Sequence, residues 1–193
     1  MKKPIEIGIT GGIGSGKSIV SRMLRIMHYP VYDTDSQAKK LMDTPALRQA
    51  LVAQWGADII QPGGEINRPR LSQIVFNNPR ELSKLNNIVH PAVRNHYAQW
   101  VHEQQSPIVF VESAILHQAH MDTTLHHIWV VEADRETRIH RVMHRNNLRR
   151  EDIEARIASQ CNTPIDSRTH IITNNDREAV LPQILTLLNN ILT

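Results

Sequence analysis

The sequence predicts an α/β fold in which a parallel β-sheet of about five strands is flanked by helices. Three observations predict this fold. Short apolar runs alternate with longer segments of helical periodicity along the chain. The first two runs are joined by a glycine-rich loop and a helix, which is the order of a βαβ unit. Only 4% of the residues are aromatic, so we expect a core built from Leu, Ile and Val.

The first βαβ unit begins with an apolar run at residues 5–10 that ends in glycines, which predicts a buried strand. Residues 18–28 follow as a predicted helix. Their apolar side chains recur at helical spacing, at Ile19, Val20, Met23, Leu24 and Met27. Tyr29-Pro30 ends the helix, and Val31-Tyr32 begins a second short strand.

Residues 34–106 are predicted to be mainly helical, and approximately residues 36–106 are expected to form a helical subdomain at the edge of the sheet. Further strands are predicted at residues 107–111, 128–131 and 171–172, and helical segments at 135–160 and 180–192. The length of 193 residues fits one domain with such an insertion. We therefore expect residues 1–193 to form a single domain.

The glycine-rich loop carries the clearest motif. Residues 11–18 read Gly-Gly-Ile-Gly-Ser-Gly-Lys-Ser, which matches the phosphate-binding pattern G-x-x-x-x-G-K-[ST]. Glycines allow the backbone to turn tightly and to aim N–H groups at phosphate oxygens, and the helix N-terminus adds partial positive charge. Lys17 is expected to reach the β and γ phosphates and Ser18 to coordinate Mg²⁺. A chance glycine turn is the alternative, but a strand precedes this match and a helix follows it.

A phosphate loop identifies the donor nucleotide and leaves the acceptor open. A GTPase would carry an Asn-Lys-x-Asp signature, which Asn174-Asn175-Asp176-Arg177 does not supply. A motor or transporter ATPase would need a longer chain. A small nucleotide-type kinase fits the length, the helical insertion and the arginine-rich segment. Approximately residues 135–160 would then form the lid that expels water before transfer.

Acidic residues follow two of the predicted strands. Asp33 and Asp35 end the second strand, where a carboxylate can orient an acceptor hydroxyl and accept its proton. The alternative is helix N-capping, because Asp33, Thr34, Asp35 and Ser36 are all good cap residues. Glu112 follows the third strand, where it can hold Mg²⁺ or its waters, or be an ordinary strand-end acid.

Arginines cluster in the segment after the fourth strand. Arg138, Arg141 and Arg145 are spaced to share one helix face. Such a cluster can clamp the charge of a transferring phosphoryl group. A solvated helix face is the alternative.

Composition limits the partners and the location. Lys and Arg (22) barely outnumber Asp and Glu (19), so the net charge of +3 gives no reason to expect a nucleic-acid partner. A single cysteine, Cys161, excludes an intrachain disulfide and favours a reducing compartment. No apolar run approaches the roughly 18 residues of a membrane span, and the N-terminal apolar stretch is too short for a signal peptide. We expect a cytoplasmic protein without membrane contact. The eleven histidines show no zinc-site spacing.

The sequence resembles the dephospho-CoA kinases from residue 5 to about residue 185. Residues 9–18 resemble the extended phosphate loop of that family, and residues 31–35 (Val-Tyr-Asp-Thr-Asp) its V-x-D-x-D strand end. The other similar segments are 55–58, 67–71 with 75–76, 85–91 (the L-N-x-x-x-H-P helix), 141–145 with 150–160 (the lid), and 172–174 (I-x-N).

The resemblance implies transfer of the γ-phosphoryl group of ATP to the ribose 3′-hydroxyl of dephospho-CoA, with Mg²⁺ as cofactor. The catalytic residues that it implies are Asp35, as the base or the acid that orients the hydroxyl, with Lys17 and Arg145 stabilising the transferring charge. The implied ATP-binding residues are Gly12, Ile13, Gly14, Ser15, Gly16, Lys17, Ser18, Ile19, Arg141 and Asn174. The implied acceptor-binding residues are Asp33, Arg68, Phe76, His90 and Arg94.

The sequence departs from the family pattern in three places, one of which is a run of five residues. The usual P-L-L-[FV]-E run reads Ala-Ile-Leu-His-Gln at residues 114–118, so Gln118 stands in place of a glutamate. Ile19 stands where threonine commonly follows the phosphate loop, and Asp176 where a glycine is usual. Two other functions remain open: a kinase for another nucleoside or nucleotide, and a non-catalytic nucleotide-binding switch.

Overall fold

The structure, a computed structural model, describes residues 3–76, 78–146, 148–160 and 163–192. Cys161 lies outside these described residues. The chain divides into two compact units. We call Met1–Tyr32 with Gln104–Thr193 the sheet unit, and Asp33–Glu103 the helical unit. No helix in the described part of the chain is long and apolar enough to cross a membrane.

The sheet is five-stranded and parallel, with the strand order β2-β3-β1-β4-β5. Its strands are β1 (Ile5–Thr10), β2 (Val31–Asp33), β3 (Ile108–Glu112), β4 (His127–Glu132) and β5 (Thr169–Thr173). In the register of the sheet, Ile9 of β1 pairs with Glu112 of β3 on one side and with Trp129 of β4 on the other. The predicted fold class is therefore confirmed.

The α-helices of the sheet unit pack beside its strands. They are α1 (Lys17–Ile26), α6 (Arg135–Asn146), α7 (Arg150–Ala158) and α8 (Val180–Leu192). Residues of α1 and α8 join side chains of the sheet in one buried aliphatic cluster that includes Ile7, Ile9, Leu24, Trp129 and Ile184. The segment predicted as helical at residues 135–160 consists of two helices, and α8 has the predicted bounds.

The helical unit contains α2 (Thr34–Met42), α3 (Pro45–Trp55), α4 (Arg68–Val75) and α5 (Pro79–Glu103), with a short 3-10 turn at Ala57–Ile59. Its own core contains Leu51, Ile59, Ile66, Leu71 and Val75, all of which are buried. Because this core is separate from that of the sheet unit, the unit has packing of its own.

Candidate active site

The phosphate loop connects β1 to α1 and depends on glycine at defined positions. Gly14 and Gly16 adopt φ angles of 78° and 101°, in the left-handed region that glycine favours. A Cβ atom at Gly14 would lie 2.6 Å from the carbonyl oxygen of Arg138, and one at Gly16 would overlap the side-chain nitrogen of Asn174. The close approach of α6 and β5 to the loop therefore requires both glycines.

Lys17 is the first residue of α1, and its ammonium group folds back over the loop. Its Nζ donates to the carbonyl oxygens of Gly11 at 2.8 Å and Gly12 at 3.3 Å. Ser18 and Ile19 follow in the first helical turn and are exposed. The loop thus presents a cation, a hydroxyl group and the N-terminus of a helix, which together suit a polyphosphate with a magnesium ion.

Arg141 contacts the loop from α6. Its Nη1 lies 3.4 Å from the carbonyl oxygens of Gly14 and Ser15, and its Nη2 donates to the carbonyl oxygen of Asn174 at 2.9 Å. Asn174, at the end of β5, donates from Nδ2 to the carbonyl oxygen of Ser15 at 2.8 Å. Two residues that the sequence predicts to bind ATP, Arg141 and Asn174, therefore lie against the loop.

Asp176 shows how one departure from the family pattern is accommodated. It keeps a positive φ of 61°, which Asp tolerates better than most residues, at the position where a glycine is usual. Its carboxylate accepts from Nη2 of Arg141 at 2.6 Å. The replacement of glycine therefore adds an ion pair to an arginine that already contacts the phosphate loop.

The other two arginines of the predicted cluster behave differently from each other. Arg138 donates from Nε to the carbonyl oxygen of Ile13 at 2.8 Å, and its burial lowers the pKa of its guanidinium group. Arg145 is exposed near the end of α6 and donates to the side chain of Asn146 at 2.8 Å. The structure therefore brings Arg138 to the loop and leaves Arg145 in solvent. The spacing of the arginines places Arg138 on the correct helix face but does not predict its contact with the loop.

Asp33 and Asp35 have separate local roles. Asp33 caps α2, because its Oδ1 accepts from the N–H groups of Asp35 and Ser36, both at 3.1 Å. Its Oδ2 accepts from the Ser36 hydroxyl at 2.7 Å. The capping alternative thus applies to Asp33. Asp35 stands in the first turn of α2, and its side chain is exposed.

The remaining predicted acceptor residues all belong to the helical unit. Arg68 pairs with Asp43 and donates to the carbonyl oxygen of Lys39 at 3.0 Å. Phe76 is 70% exposed, which is unusual for so large an apolar side chain. His90 and Arg94 are half-buried and lie one turn apart on α5. A guanidinium group, an aromatic ring and an imidazole are suitable contacts for a phosphorylated nucleotide.

Glu112, the last residue of β3, and Gln118, which follows the strand, lie in different surroundings. Glu112 is in register with Ile9, next to the start of the phosphate loop, at the strand end where an acid can approach a magnesium ion. Gln118 is exposed in the turn-rich segment that follows. Ser18 and Glu112 carry oxygen atoms of the kind that magnesium prefers as ligands.

Five of the eleven histidines contact a nearby Asp or His side chain. His117 contacts Asp122 at 2.9 Å, His127 contacts His170 at 3.2 Å, and His140 contacts His144 at 3.0 Å. Within the described ranges, no group of three or more His, Cys, Asp or Glu side chains is arranged to hold a metal ion.

A phosphate loop on a five-stranded parallel sheet, with an arginine-bearing helix against the loop, defines a P-loop phosphotransferase of the nucleotide-kinase type. The family model described as "CoaE: Dephospho-CoA kinase" matches residues 5–180. The chain belongs to the dephospho-CoA kinase family.

Individual relatives agree with this assignment. The chain is 37% identical to the dephospho-CoA kinase of Bacteroides fragilis (strain YCH46), over 95% of this chain and 91% of the relative. It is 36% identical to that of Porphyromonas gingivalis (strain ATCC BAA-308 / W83), over 98% and 95%. Among solved structures it is similar to TT1252 from Thermus thermophilus, with a TM-score of 0.85 and 32% identity over the full length of both chains.

Proposed function

We propose that this chain transfers the γ-phosphoryl group of ATP to the ribose 3′-hydroxyl of dephospho-CoA, giving CoA and ADP. Membership of the dephospho-CoA kinase family carries this proposal. The phosphate loop, with Lys17 folded over it, supports the donor half of the reaction. The lone cysteine of the sequence fits a cytoplasmic enzyme.

The donor half binds ATP at residues 12–19, where the backbone N–H groups of the loop on either side of Ile13 point at phosphate oxygens and Lys17 and Arg141 face the phosphates. These groups stabilise the charge that develops as the phosphoryl group moves, which is the main task of a protein in this chemistry. Ser18 would hold Mg²⁺, whose charge would offset that of the phosphates, and Glu112 at the end of β3 is the further acid that can hold the ion or its waters. Arg145, at the exposed end of α6, would reach the transferring group as part of the lid at approximately residues 135–160, and this lid would also exclude water.

The acceptor half belongs to the helical unit. Asp35 orients the 3′-hydroxyl and accepts its proton, because its carboxylate is not the one that caps α2. Asp33, Arg68, Phe76, His90 and Arg94 bind the nucleotide part of the acceptor. Loss of any of these five side chains is therefore expected to raise the KM for the acceptor more than it lowers turnover.

The acceptor is tested by measuring ADP release with dephospho-CoA, adenosine, cytidine and the common nucleoside monophosphates, each in separate reactions. We expect only dephospho-CoA to stimulate release. Stimulation by a nucleoside or a monophosphate alone would show a kinase of another specificity. An absence of stimulation by every acceptor would favour a nucleotide-binding switch.

The catalytic carboxylate is tested by comparing Asp35→Asn with Asp33→Asn. Asp35→Asn should lower kcat by roughly 10²-fold or more and leave ATP binding largely intact, because it removes the base and keeps the shape. Asp33→Asn should keep the helix cap, since Asn caps about as well as Asp, and should act mainly on the KM for the acceptor. A crippled Asp33→Asn beside a nearly normal Asp35→Asn would show that the roles are reversed.

A further inference from the structure

Ile13, in the middle of the phosphate loop, is half-buried and contacts α6, α7 and Gln160. Its side chain packs against a small apolar cluster whose buried members are Ile139, Val142 and Ile153, from α6 and α7. The motif leaves this position open, so nothing in the G-x-x-x-x-G-K-[ST] pattern requires an apolar residue here. The packing explains why an isoleucine suits it.

Both polar groups of the Ile13 backbone are also engaged. Its N–H donates to Oε1 of Gln160 at 2.9 Å, and its carbonyl oxygen accepts from Nε of Arg138 at 2.8 Å. Arg138 in turn donates from Nη2 to the same Oε1 of Gln160 at 3.1 Å. These three hydrogen bonds form a closed set that joins α6 and the residue two positions beyond α7 to one residue of the loop.

This set constrains the loop at close range. The guanidinium group of Arg138 lies so near Gly12 that a Cβ atom there would overlap it. Gln160 and Arg138 are both half-buried, so water competes poorly for their hydrogen bonds. Since the N–H group of Ile13 already has a partner, Ile13 acts as an anchor for the loop, while its neighbours supply N–H groups to phosphates.

We propose that Gln160 and Arg138 are positioning residues for the donor nucleotide: they fix the Ile13 peptide and so preform the phosphate loop for ATP. This inference rests on the proposed function only in taking ATP as the donor. A loop that is already shaped for phosphate loses less conformational entropy on binding. The effect of Gln160 is therefore expected on ATP affinity rather than on the acceptor.

The chemistry of Gln160 provides a matched pair of variants. Among the described residues, its side chain acts only through Oε1, as an acceptor for two donors. Gln160→Glu keeps an acceptor oxygen in that place, and Arg138 offsets the added charge. Gln160→Met keeps the approximate size and removes the strong acceptor. The control is Ser159→Ala, next in the chain, whose exposed hydroxyl donates to the Arg156 carbonyl oxygen of its own turn.

The experiment measures the Kd of ATP·Mg²⁺ by calorimetry without acceptor, then the KM values for ATP and dephospho-CoA. Gln160→Met should raise the Kd and KM of ATP about tenfold and leave the KM of dephospho-CoA unchanged. Gln160→Glu and Ser159→Ala should stay within about twofold of the unchanged chain. Because ATP binding is measured alone, a failure of dephospho-CoA as the acceptor would not alter this result.

Two outcomes would overturn the proposal. One is a Gln160→Met chain that binds ATP as tightly as the unchanged chain. The other is an equal loss in Gln160→Met and Gln160→Glu, which would show that an acceptor oxygen at this position is not enough to keep ATP affinity. If Gln160→Met does not fold, Arg138→Lys carries the test. It keeps the charge but lacks the Nε donor to Ile13, and the same rise of about tenfold is expected; normal ATP affinity in Arg138→Lys would refute the proposal.

Discussion

Asn174→Ala is expected to destabilise the fold and to weaken ATP binding, because Asn174 ties the end of β5 to the phosphate loop. Asn174 is only 6% exposed, and its Nδ2 donates to the carbonyl oxygen of Ser15 at 2.8 Å. Its Oδ1 also lies 3.3 Å from Nη2 of Arg141. The variant removes both contacts and leaves the Ser15 carbonyl with a longer one from Arg141 at 3.4 Å.

The size of the effect follows from these contacts. A buried acceptor that loses its donor costs about 1–3 kcal/mol, and the remaining contact with Arg141 argues against the top of that range. We therefore expect the free energy of unfolding to fall by about 2 kcal/mol. For a chain of this size, such a loss lowers Tm by roughly 4–8 °C. The Kd of ATP should rise as well, because the Ser15 peptide belongs to the loop.

The free energy of unfolding is measured by urea denaturation, with the check that the m-value does not change, and the Kd of ATP is measured by calorimetric titration. Asn175→Ala is the matched control, since the neighbouring asparagine accepts from the N–H of Asp134 at 2.7 Å in an exposed position. Water can replace that bond, so a loss of only about 0.5 kcal/mol is expected. Equal losses in Asn174→Ala and Asn175→Ala would refute the idea that Asn174 has a special role in holding the loop.

Two further predictions concern the loop and the sheet. Gly14→Ala should abolish measurable ATP binding, because it puts a side chain at positive φ and within 2.6 Å of the Arg138 carbonyl oxygen; near-normal affinity by calorimetry would contradict this. The pKa of His127 is lowered first by burial and then by the nearby imidazoles of His170 and His126. As the pH falls below about 6.5, His127 therefore binds a proton more readily in the unfolded chain than in the folded chain. The free energy of unfolding consequently decreases as the pH falls. His127→Gln should flatten the decline of the urea midpoint from pH 7 to pH 5, whereas an unchanged slope would show that other groups cause it.

The elements that the sequence predicted best are those with strong local patterns. The bounds of α8 and of the strand before the phosphate loop can be predicted from apolar patterns that lie within the segments themselves. Periodicity could not show that the segment at residues 135–160 breaks into α6 and α7, because both helices are rich in charged residues. The alternation of strands and helices was sufficient to predict the fold class.

The predicted site illustrates a different limit. Residue type and spacing indicated Lys17, Arg141 and Asn174, which lie against or within the loop. The spacing of the arginines could not show that Arg138 contacts the loop whereas Arg145 donates to its neighbour Asn146. Both lie on the same helix face, and their difference depends on how far along α6 the loop crosses it. That distance is set by tertiary packing rather than by any local pattern.

The long-range contacts of the phosphate loop also change how its motif should be understood. Local sequence explains why the loop can turn, because its glycines permit the required backbone. It does not explain why the loop keeps one shape, since the groups that hold Ile13 and Ser15 come from residues 125 to 159 positions away. A substitution in α6 or at the end of β5 should therefore alter ATP affinity without touching the nucleotide. Where relatives differ at these distant positions, the ATP affinities of the relatives should therefore be compared.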